Sequence, residues 1–407
     1  MASEQSFVIV GASLTGAKAA ETLRVEGFEG RVVLIGEETE RPYERPMLSK
    51  EYLRGDKPAA KLYVHEEGFY ADNDIELLTG TRVASLDAAT HEITLEDGSR
   101  MPYSRLLLST GATPRRIPVP GAELQGVRYL RRMSDSDALR AAIKSASRVV
   151  VIGAGWIGSE VAASARQLGV EVSVVAPEAV PLERVLGPVL GGVYRDLHAE
   201  HGVDLHLSTQ IEAIVGKDAA QGVRTTNGLV IEGDLVVVGV GVSPRDELAR
   251  LAGLTLDNGI VVDEFLRTSA PDVFAAGDVA SAWNPMYGRH IRMEHWANAL
   301  NQGQTVACNM LGQETAYSKL PYFYSDQFDL GMEYNGYASD WDRVVVRGDL
   351  VAREFLAFWL KDGRVLAGMN ANVWDQGDGI KALVRSGAAV DADRLADLSI
   401  PLGDLAT

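Results

Sequence analysis

Residues 148–158 read RVVVIGAGWIG and decide the fold of this chain. An apolar run of strand type enters a turn with glycine at Gly153, Gly155 and Gly158, and a helical pattern follows through Leu168. Glycines with this spacing let the backbone approach a pyrophosphate, whose charge then lies at a helix N-terminus. A helix packed closely on a strand is the alternative, but it would not need all three glycines. The stretch therefore predicts a dinucleotide-binding unit.

The N-terminus repeats this pattern. Residues 7–16 read FVIVGASLTG, with Gly11 and Gly16 at the ends of the turn and Ser13 where the middle glycine would be. A helical stretch at 17–25 and an apolar run at 32–35 follow. Short apolar runs bounded by glycine and separated by helices indicate buried parallel sheets. We therefore predict an α/β protein with two Rossmann-like dinucleotide-binding domains.

An acidic residue about 20 positions beyond the last glycine can bind the ribose hydroxyls of an adenine dinucleotide. Glu37 has this place in the first unit. In the second unit Ala176 directly follows the strand, and Glu178 is the nearest acid. Residues 175–180 contain no arginine or lysine to hold a 2′-phosphate. This favours NADH over NADPH as the second coenzyme, while Ala176 leaves the choice open.

Charge and cysteine content exclude several classes of function. The formal net charge of −17 over 407 residues argues against a nucleic acid or an anionic membrane as partner. The single cysteine, Cys308, excludes an internal disulfide, a CxxC redox pair and a four-cysteine metal site, and we predict no metal centre. The N-terminus has no basic region followed by a long apolar run, so we expect a cytoplasmic protein.

Two dinucleotide units in one chain imply one tightly held cofactor and one that exchanges. This arrangement suits hydride transfer from a nicotinamide to a flavin. Residues 268–278, TSAPDVFAAGD, add a strand pattern that ends in Gly277 and Asp278. Gly-Asp is a common turn, but here it follows a long strand pattern and places a carboxylate at a strand's carboxyl end, where open α/β sheets bind ligands.

Five features carry a family resemblance: RPYERPMLSK at 41–50, STGA at 109–112, Glu160 after the second turn, residues 268–278, and EHWANA at 294–299. Together they resemble the NADH-dependent ferredoxin reductases of bacterial oxygenase systems, within the FAD-dependent pyridine nucleotide-disulfide oxidoreductase superfamily. The resemblance runs over essentially the whole chain. It implies a glutathione-reductase-like α/β fold, two Rossmann-like domains, with a C-terminal α+β domain.

The resemblance also implies which residues hold the cofactors. Glu37 would bind the adenosine ribose and Asp278 the ribityl chain, while Trp296 would cover the isoalloxazine ring. The implied FAD residues are Gly11, Ser13, Thr15, Gly16, Glu37, Arg45, Lys50, Val83, Ala112, Arg131, Gly277, Asp278 and Trp296. The implied NADH residues are Gly153, Gly155, Ile157, Gly158, Glu160, Glu178 and Gly241.

Three residues are implied to be catalytic: Lys50, Glu160 and Trp296. Lys50 would lie near flavin N5, where its charge stabilises the anionic reduced flavin. Glu160 would pair with Lys50 and hold the nicotinamide carboxamide. Outside their motifs, Lys50 would be read as a surface lysine and Trp296 as a core residue.

The chain also shows where its domains begin and end. Prolines at 114–120 suggest an interdomain hinge, Ser243-Pro244 marks a second crossing, and aromatic residues cluster after Leu320. We predict an FAD domain at 1–115 and 245–320, an NAD(P)H domain at 116–244, and a C-terminal α+β domain at 321–407. Strands at 344–346 and 355–360 and a final helix near 379–386 are expected in the last domain.

The solitary cysteine indicates how electrons leave the flavin. Related reductases that use a thiol pair, or one thiol near the N-terminal helix, need cysteines that this chain lacks. Cys308 lies in a predicted helix and is expected to be a small core residue. The remaining route is the release of single electrons to an external carrier, for which the resemblance implies a two-iron two-sulfur ferredoxin serving a cytochrome P450 or a ring-hydroxylating oxygenase.

Ferredoxins are typically acidic, so an acidic reductase must attract one through local positive charge. The candidates near the two flavin motifs are Arg41, Arg45, Arg289, His290 and Arg292. Each could instead be a solvated or cofactor-bound side chain. Two further alternatives stay open: a rubredoxin as acceptor, or an apoptosis-inducing-factor-like flavoprotein in which NADH acts as a signal for partner binding. We expect a monomer or a homodimer.

Overall fold

The computed structural model describes residues 5–405, which form two compact units. The first unit contains the chain up to Arg45, Ala59–Thr113 and Val242–Lys319. The second contains Pro46–Pro58, Pro114–Gly241 and the chain from Leu320 onward. This division reflects which residues pack together and not which cofactor each part binds. The boundaries of the three predicted domains therefore stay a prediction.

A five-stranded parallel sheet forms the centre of the first unit. In spatial order its strands are Val273–Ala275, Arg105–Leu108, Ser6–Val10, Arg31–Ile35 and Ile75–Leu78. These strands are almost continuously apolar and buried, as strands covered on both faces must be. Their carboxyl ends lead into the Gly11 turn, the 109–112 motif and Gly277.

Two long helices pack on each other in the first unit, Leu14–Val25 and Trp296–Met310. The first begins at Leu14, three residues before the predicted start, because Ser13 already stands at its N-cap. A side chain at Gly303 would meet the Thr15 carbonyl oxygen at 2.6 Å, so glycine permits the close helix contact. The shorter helices are Phe69–Asp72 and Glu247–Leu251, and 3₁₀ turns lie at Ala59–Lys61 and Gly277–Val279.

Smaller sheets complete the first unit. An antiparallel sheet contains Val83–Asp87, Glu92–Leu95 and Arg100–Pro102, and a mixed sheet contains Ile260–Val262, Ala280–Asn284 and Arg289–Ile291. Short strands at Ala112–Pro114 and Val242–Pro244 lie where the chain passes from one unit to the other.

The second unit repeats the parallel architecture. Its five-stranded sheet has the order Val203–His206, Glu171–Val175, Arg148–Ile152, Leu235–Val238 and Val127–Arg128. The accompanying helices are Met133–Ser145, Trp156–Gln167 and Glu183–Glu200, the last kinked at Gly187. An antiparallel sheet of Ile211–Gly216, Ala220–Thr225 and Val230–Glu232 lies beside them, and Pro46–Ser49 and Glu51–Arg54 form short helices. The prediction of two Rossmann-like units is therefore confirmed.

The chain after Leu320 forms an antiparallel sheet of five strands. In spatial order these are Tyr322–Gln327, Leu330–Gly336, Arg364–Ala371, Glu354–Lys361 and Arg343–Asp349. Helices follow at Gly377–Ser386 and Ala392–Ala396, with a 3₁₀ turn at Leu402–Leu405. The predicted α+β character is confirmed, and the Ala392–Ala396 helix is an addition to the predicted elements.

One face of this C-terminal sheet packs on the helix Glu183–Glu200. Trp359 is fully buried there, and its indole nitrogen donates to the Leu186 carbonyl oxygen at 3.3 Å. The buried imidazole of His198 lies on the same helix, with Nε2 2.8 Å from Oε1 of Gln327. Burial lowers the pKa of His198 to about 4. The imidazole is therefore neutral in the folded protein at neutral pH.

The buried imidazole predicts a loss of stability in acid. Below its ordinary pKa of about 6.5 the unfolded chain protonates His198 while the folded chain does not, so the free energy of unfolding falls as the pH drops from about 6.5 toward 4. His198→Gln should remove this dependence. We expect urea unfolding to show that the wild type loses about 2 kcal/mol more between pH 7 and pH 5 than the variant. Parallel pH profiles would contradict the assignment.

Candidate functional site

The first glycine turn is built around two close contacts. A side chain at Gly11, whose φ is +123°, would meet the Ser109 carbonyl oxygen at 2.1 Å. A side chain at Gly16 would meet the Gly11 carbonyl oxygen at the same distance. Both glycines are therefore required by the fold of the turn itself.

Ser13 leaves the N-terminus of the following helix open. It is the N-cap residue of Leu14–Val25, but its side chain makes no capping hydrogen bond, and the first helical turn contains no acidic residue. A helix N-terminus in this state presents backbone N–H groups and positive partial charge. The turn is suited to a phosphate group, as an adenine dinucleotide would supply.

Glu37 lies at the carboxyl end of the strand Arg31–Ile35 and forms an ion pair with Arg245. Thr110 holds the arginine by donating to its carbonyl oxygen at 2.7 Å, and the Arg245 N–H donates to the Gly111 carbonyl oxygen at 2.9 Å. Arg245 was not predicted from the sequence, although it directly follows the Ser243-Pro244 crossing. An acid oriented in this way at a strand's carboxyl end fits the ribose hydroxyls of a dinucleotide.

Gly277 and Thr15 bring Asp278 to the carboxyl edge of the same sheet. Gly277 has a φ of +79°, and a side chain there would meet Thr15 Oγ1 at 2.5 Å. Its N–H donates to Oε1 of Gln302 at 2.7 Å, which fixes the turn. Arg292 donates to the Asp278 carbonyl oxygen at 3.1 Å.

Arg45 is also near Asp278. Its guanidinium lies 2.6 Å from Glu38 Oε1 and donates to the Tyr43 hydroxyl at 3.0 Å. Burial alone would lower the pKa of Arg45, but the fields of Tyr43, Glu38 and Asp278 outweigh it and raise that pKa. A fixed positive charge therefore lies at this edge of the first unit.

Trp296 begins the helix Trp296–Met310 and is half-buried. Within residues 5–405 its buried indole Nε1 has no hydrogen-bond partner. A buried donor without an acceptor costs free energy, which a ligand oxygen would recover. This orphaned donor and the open helix N-terminus at Ser13 both fit a dinucleotide such as FAD.

The remaining predicted FAD residues have different surroundings. Val83 is buried on a strand opposite Leu95, and Ala112 is buried at the start of its own strand. Arg131 belongs to the second unit, where its backbone N–H donates to Asp135 Oδ2 at 3.1 Å near the start of the helix Met133–Ser145.

In the second glycine turn, two glycines are required by the fold and the third is suited to binding a ligand. Side chains at Gly153 and Gly158 would meet the carbonyl oxygens of Gly239 and Gly153 at 2.5 and 2.1 Å. A side chain at Gly155 would meet nothing within 4 Å. Gly155 therefore borders an open cradle that a Cβ would fill, which fits the pyrophosphate of NADH. Ile157 is exposed on the first turn of the helix Trp156–Gln167.

An ion pair that was not predicted from the sequence follows the strand Glu171–Val175. Glu178 forms an ion pair of 2.8 Å with Arg184, an exposed arginine outside the interval 175–180 in which a basic residue was sought. Ala176 is buried, and Gly241 has a φ of +93° with open space where a side chain would be. An acid and an arginine therefore lie together where the coenzyme's adenosine is expected.

Lys50 and Glu160 form a buried ion pair in the second unit. Lys50 Nζ lies 3.3 Å from Glu160 Oε1, and both side chains are about 5% exposed. Ser49 donates to Glu160 Oε2 at 2.5 Å and Ser325 to Oε1 at 2.7 Å. A buried ion pair needs further hydrogen bonds to be stable, and the two serines supply two of them.

Three chain segments meet at this pair, each for a local reason. Ser164 and Ser136 donate to the carbonyl oxygens of Ser49 and Leu48 at 2.6 and 2.8 Å and hold the segment before Lys50 in place. Glu160 lies on the helix Trp156–Gln167, one turn after Trp156.

The third segment is the strand Tyr322–Gln327. Phe323 packs against Trp156 with ring centroids 5.1 Å apart, and Ser325, two residues on, reaches Glu160. The two-residue period of a strand and the four-residue spacing of a helix bring these pairs into register. Ser325 was not predicted, because nothing in its local sequence distinguishes it from other strand serines.

Cys308 is only half-buried on the helix Trp296–Met310, so its prediction as a core residue is corrected. Burial and the nearby Glu26 raise the pKa of its thiol, which disfavours the reactive thiolate. Among residues 5–405 no group of three or more His, Cys, Asp or Glu side chains could hold a metal ion. In the same range, no helix has the length and apolar content needed to cross a bilayer.

The five basic residues suggested as a docking surface differ in their surroundings. Arg41 stacks on Tyr63 at 3.6 Å from the ring centroid, and Arg45 is paired with Glu38. Arg292 is almost buried and lies 2.6 Å from Glu294. Arg289 and His290 are on the strand Arg289–Ile291, where Arg289 is exposed. Arg45 and Arg292 are thus paired with acids of the chain, and the docking hypothesis for the five residues stays a prediction.

Comparisons with known proteins agree with this geometry. A family model described as pyridine nucleotide-disulphide oxidoreductase matches residues 5–303, and one described as reductase C-terminal matches residues 322–406. The chain is 39% identical over 401 residues to the anthranilate 1,2-dioxygenase system ferredoxin–NAD(+) reductase component of Burkholderia cepacia, covering 98% of this chain and 99% of the relative. It is 36% identical over 411 residues to putidaredoxin reductase of Pseudomonas putida, covering 100% and 97%.

Solved structures give the same result. The reductase in the crystal structure of the covalent putidaredoxin reductase–putidaredoxin complex superposes with a TM-score of 0.95 at 36% identity, covering 98% of each chain. A ferredoxin reductase from Rhodopseudomonas palustris superposes equally well, covering 99% of this chain and 100% of the other. The chain belongs to the pyridine nucleotide-disulphide oxidoreductase family.

Proposed function

We propose that this protein is an FAD-dependent NADH:ferredoxin reductase that passes electrons singly to a two-iron two-sulfur ferredoxin, which serves a cytochrome P450 or a ring-hydroxylating oxygenase. The observation that carries the proposal is the buried Lys50–Glu160 pair beside the second glycine turn, in a chain with one half-buried cysteine. The family binds FAD and uses NAD(H). Relatives named as ferredoxin reductase components support the acceptor.

In the first unit, the Gly11 turn and the N-terminus of the helix Leu14–Val25 would bind the FAD pyrophosphate. Glu37, oriented by Arg245, would accept the ribose hydroxyls, and Asp278 would bind the ribityl chain. The buried Nε1 of Trp296 would donate to a flavin oxygen. When bound, FAD supplies the two-electron to one-electron conversion that the proposed reaction needs.

In the second unit, Gly155 would admit the NADH pyrophosphate to the helix Trp156–Gln167. The Glu160 carboxylate would accept a hydrogen bond from the nicotinamide carboxamide and fix which face of the ring is presented. The Lys50 ammonium would pair with Glu160 beside it and lies 5.2 Å from the Tyr324 ring centroid. Glu178 and Arg184 would contact the adenosine end.

The thiol route is absent by composition, because the whole chain contains one cysteine. The raised pKa of Cys308 also disfavours thiolate chemistry at that residue. Electrons would therefore pass directly to a protein carrier. The named relatives favour a ferredoxin over a rubredoxin, and they favour turnover over an apoptosis-inducing-factor-like signalling role.

Addition of a ferredoxin should accelerate electron delivery. We expect purified putidaredoxin, or another bacterial two-iron two-sulfur ferredoxin from a panel, to raise the rate of NADH-dependent cytochrome c reduction at least about tenfold over the reductase alone. The reason is that a single-electron carrier replaces the slow direct electron transfer from the reductase to cytochrome c. Rubredoxin at equal concentration serves as the comparison. Greater stimulation by rubredoxin, or a reduced flavin that persists in air with every carrier, would contradict the proposal.

The role of Glu160 is tested by Glu160→Gln, which keeps the side-chain shape and removes the charge. We expect flavin reduction by NADH, measured by stopped-flow bleaching, to slow by at least about tenfold, since a charged hydrogen-bond acceptor to the nicotinamide is lost. Glu171→Gln, in the same unit but on an exposed ion pair with Arg148, should leave the rate unchanged. Equal rates for Glu160→Gln and wild type would remove Glu160 from the mechanism.

The role of Asp278 predicts a change visible on purification. Asp278→Ala should yield protein with little bound flavin, because the ribityl hydroxyls lose their acceptor at the sheet edge. The absorbance ratio of flavin to protein measures this directly. Asp272→Ala, an exposed aspartate in the same segment, is the matched control and should stay yellow. Stoichiometric FAD in Asp278→Ala would refute the assignment.

A further inference from the structure

A chain of four buried side chains leads from the helix Glu183–Glu200 to Glu160. His198 Nε2 lies 2.8 Å from Gln327 Oε1, Gln327 Nε2 lies 3.3 Å from Ser325 Oγ, and Ser325 Oγ lies 2.7 Å from Glu160 Oε1. Each of the four residues is at most 4% exposed. Water therefore does not compete for these hydrogen bonds. Their electrostatic attraction is stronger than it would be in water, because the protein interior has a low dielectric constant.

All the protons in this chain point toward Glu160. An amide oxygen can only accept, so His198 carries its proton on Nε2 and donates to Gln327. The Gln327 amide then donates its N–H to Ser325, and the Ser325 hydroxyl, which has one proton, gives that proton to the carboxylate. His198 Nδ1 is buried without a hydrogen-bond partner in the described chain, so the imidazole has no second contact that would favour the other tautomer.

His198 thereby controls which way the Gln327 amide faces. Without a donor at His198, rotation of the amide by half a turn would place its oxygen beside Ser325. The serine hydroxyl would then have two acceptors to choose from, the amide oxygen and Glu160. The imidazole opposes this, because turning the amide would require the ring proton to move to Nδ1, which is buried without a hydrogen-bond partner in residues 5–405.

We infer that Ser325, Gln327 and His198 are positioning residues for Glu160, which orient its carboxylate for the nicotinamide. The inference rests on the proposed function of Glu160. It assigns to the C-terminal sheet, which supplies Ser325 and Gln327, a direct part in NADH oxidation. The row of hydrogen-bonded side chains ends at Oε1 of Glu160, the oxygen that also faces Lys50. Ser49 donates to the other oxygen, Oε2.

Other charged or titratable groups also act on Glu160. Lys50 lies 3.3 Å away before the helix Glu51–Arg54, Tyr194 faces it from the helix Glu183–Glu200, and Asp326 is on the strand that carries Ser325. Lys50 favours the ionised carboxylate, whereas Asp326 opposes it. The serine donor therefore adds to the effect of Lys50 against a like charge.

The test begins with Ser325→Ala. Infrared difference spectra against Glu160→Gln report the carboxyl band of Glu160 directly, without turnover. We expect the carboxylate band of Glu160 to shift in frequency, because a hydrogen bond to the charged form is lost. The acid limb of flavin reduction by NADH should move to higher pH by about one unit, a tenfold change in proton concentration. Ser173→Ala, which removes a buried strand serine bonded to Asp204, should change neither.

His198 gives a second, more remote test. His198→Leu removes the donor to Gln327 and should shift the carboxylate band and the acid limb in the same direction as Ser325→Ala but by less. His198→Gln retains a donor at the Nε2 position and should restore the wild-type values.

The outcomes separate this inference from the proposed function. If Glu160→Gln leaves flavin reduction unchanged, the function proposed for Glu160 fails. The infrared shift would still measure the effect of the hydrogen-bonded side chains on the Glu160 carboxylate. If Glu160→Gln slows reduction but Ser325→Ala shifts neither the carboxyl band nor the acid limb, the positioning role is overturned. Equal effects of His198→Leu and His198→Gln would confine the role to Ser325.

Discussion

The close approach of each nucleotide-turn helix to the turn before it is the constraint on which the rest of this structure depends. In both units the last glycine of the turn, Gly16 or Gly158, leaves room for a carbonyl oxygen 2.1 Å from where a Cβ would be. Any side chain there would push the helix away from the sheet. With the helix held close, its N-terminus points at the strand edge, where Glu37, Asp278 and the Gly155 cradle also lie in their respective units.

A second constraint concerns the charge at Glu160. Its ion pair with Lys50 is buried, and burial of two charges costs several kcal/mol per ion before their attraction is counted. The structure meets that cost with donors from two distant parts of the chain, the adjacent residues Ser49 and Lys50 and the strand residue Ser325. The C-terminal sheet is therefore part of the electrostatics of the site as well as a cover for the helix Glu183–Glu200.

The sequence was sufficient for features that are local. Glycine spacing, apolar runs and acids at strand ends predicted both parallel sheets and the places of Glu37 and Asp278, because each depends on a few neighbouring residues. Arg245, Arg184 and Ser325 were missed for the opposite reason. The role of each residue depends on a partner that tertiary packing brings close. The local sequence around an arginine or a serine does not indicate which partner that is. The Cys308 prediction was wrong because a helical pattern does not specify how deeply each turn is buried.

The charge distribution shows why net charge could not locate the surface that meets an acidic carrier. The chain is acidic overall, yet several of its arginines near the motifs are held by internal acids: Arg45 by Glu38, Arg245 by Glu37 and Arg292 by Glu294. A paired arginine contributes little field at a distance, since its partner cancels it within about a Debye length. All three pairs lie within the first unit. The total charge therefore does not tell where an acidic carrier would be attracted, because that depends on the local arrangement of exposed basic side chains.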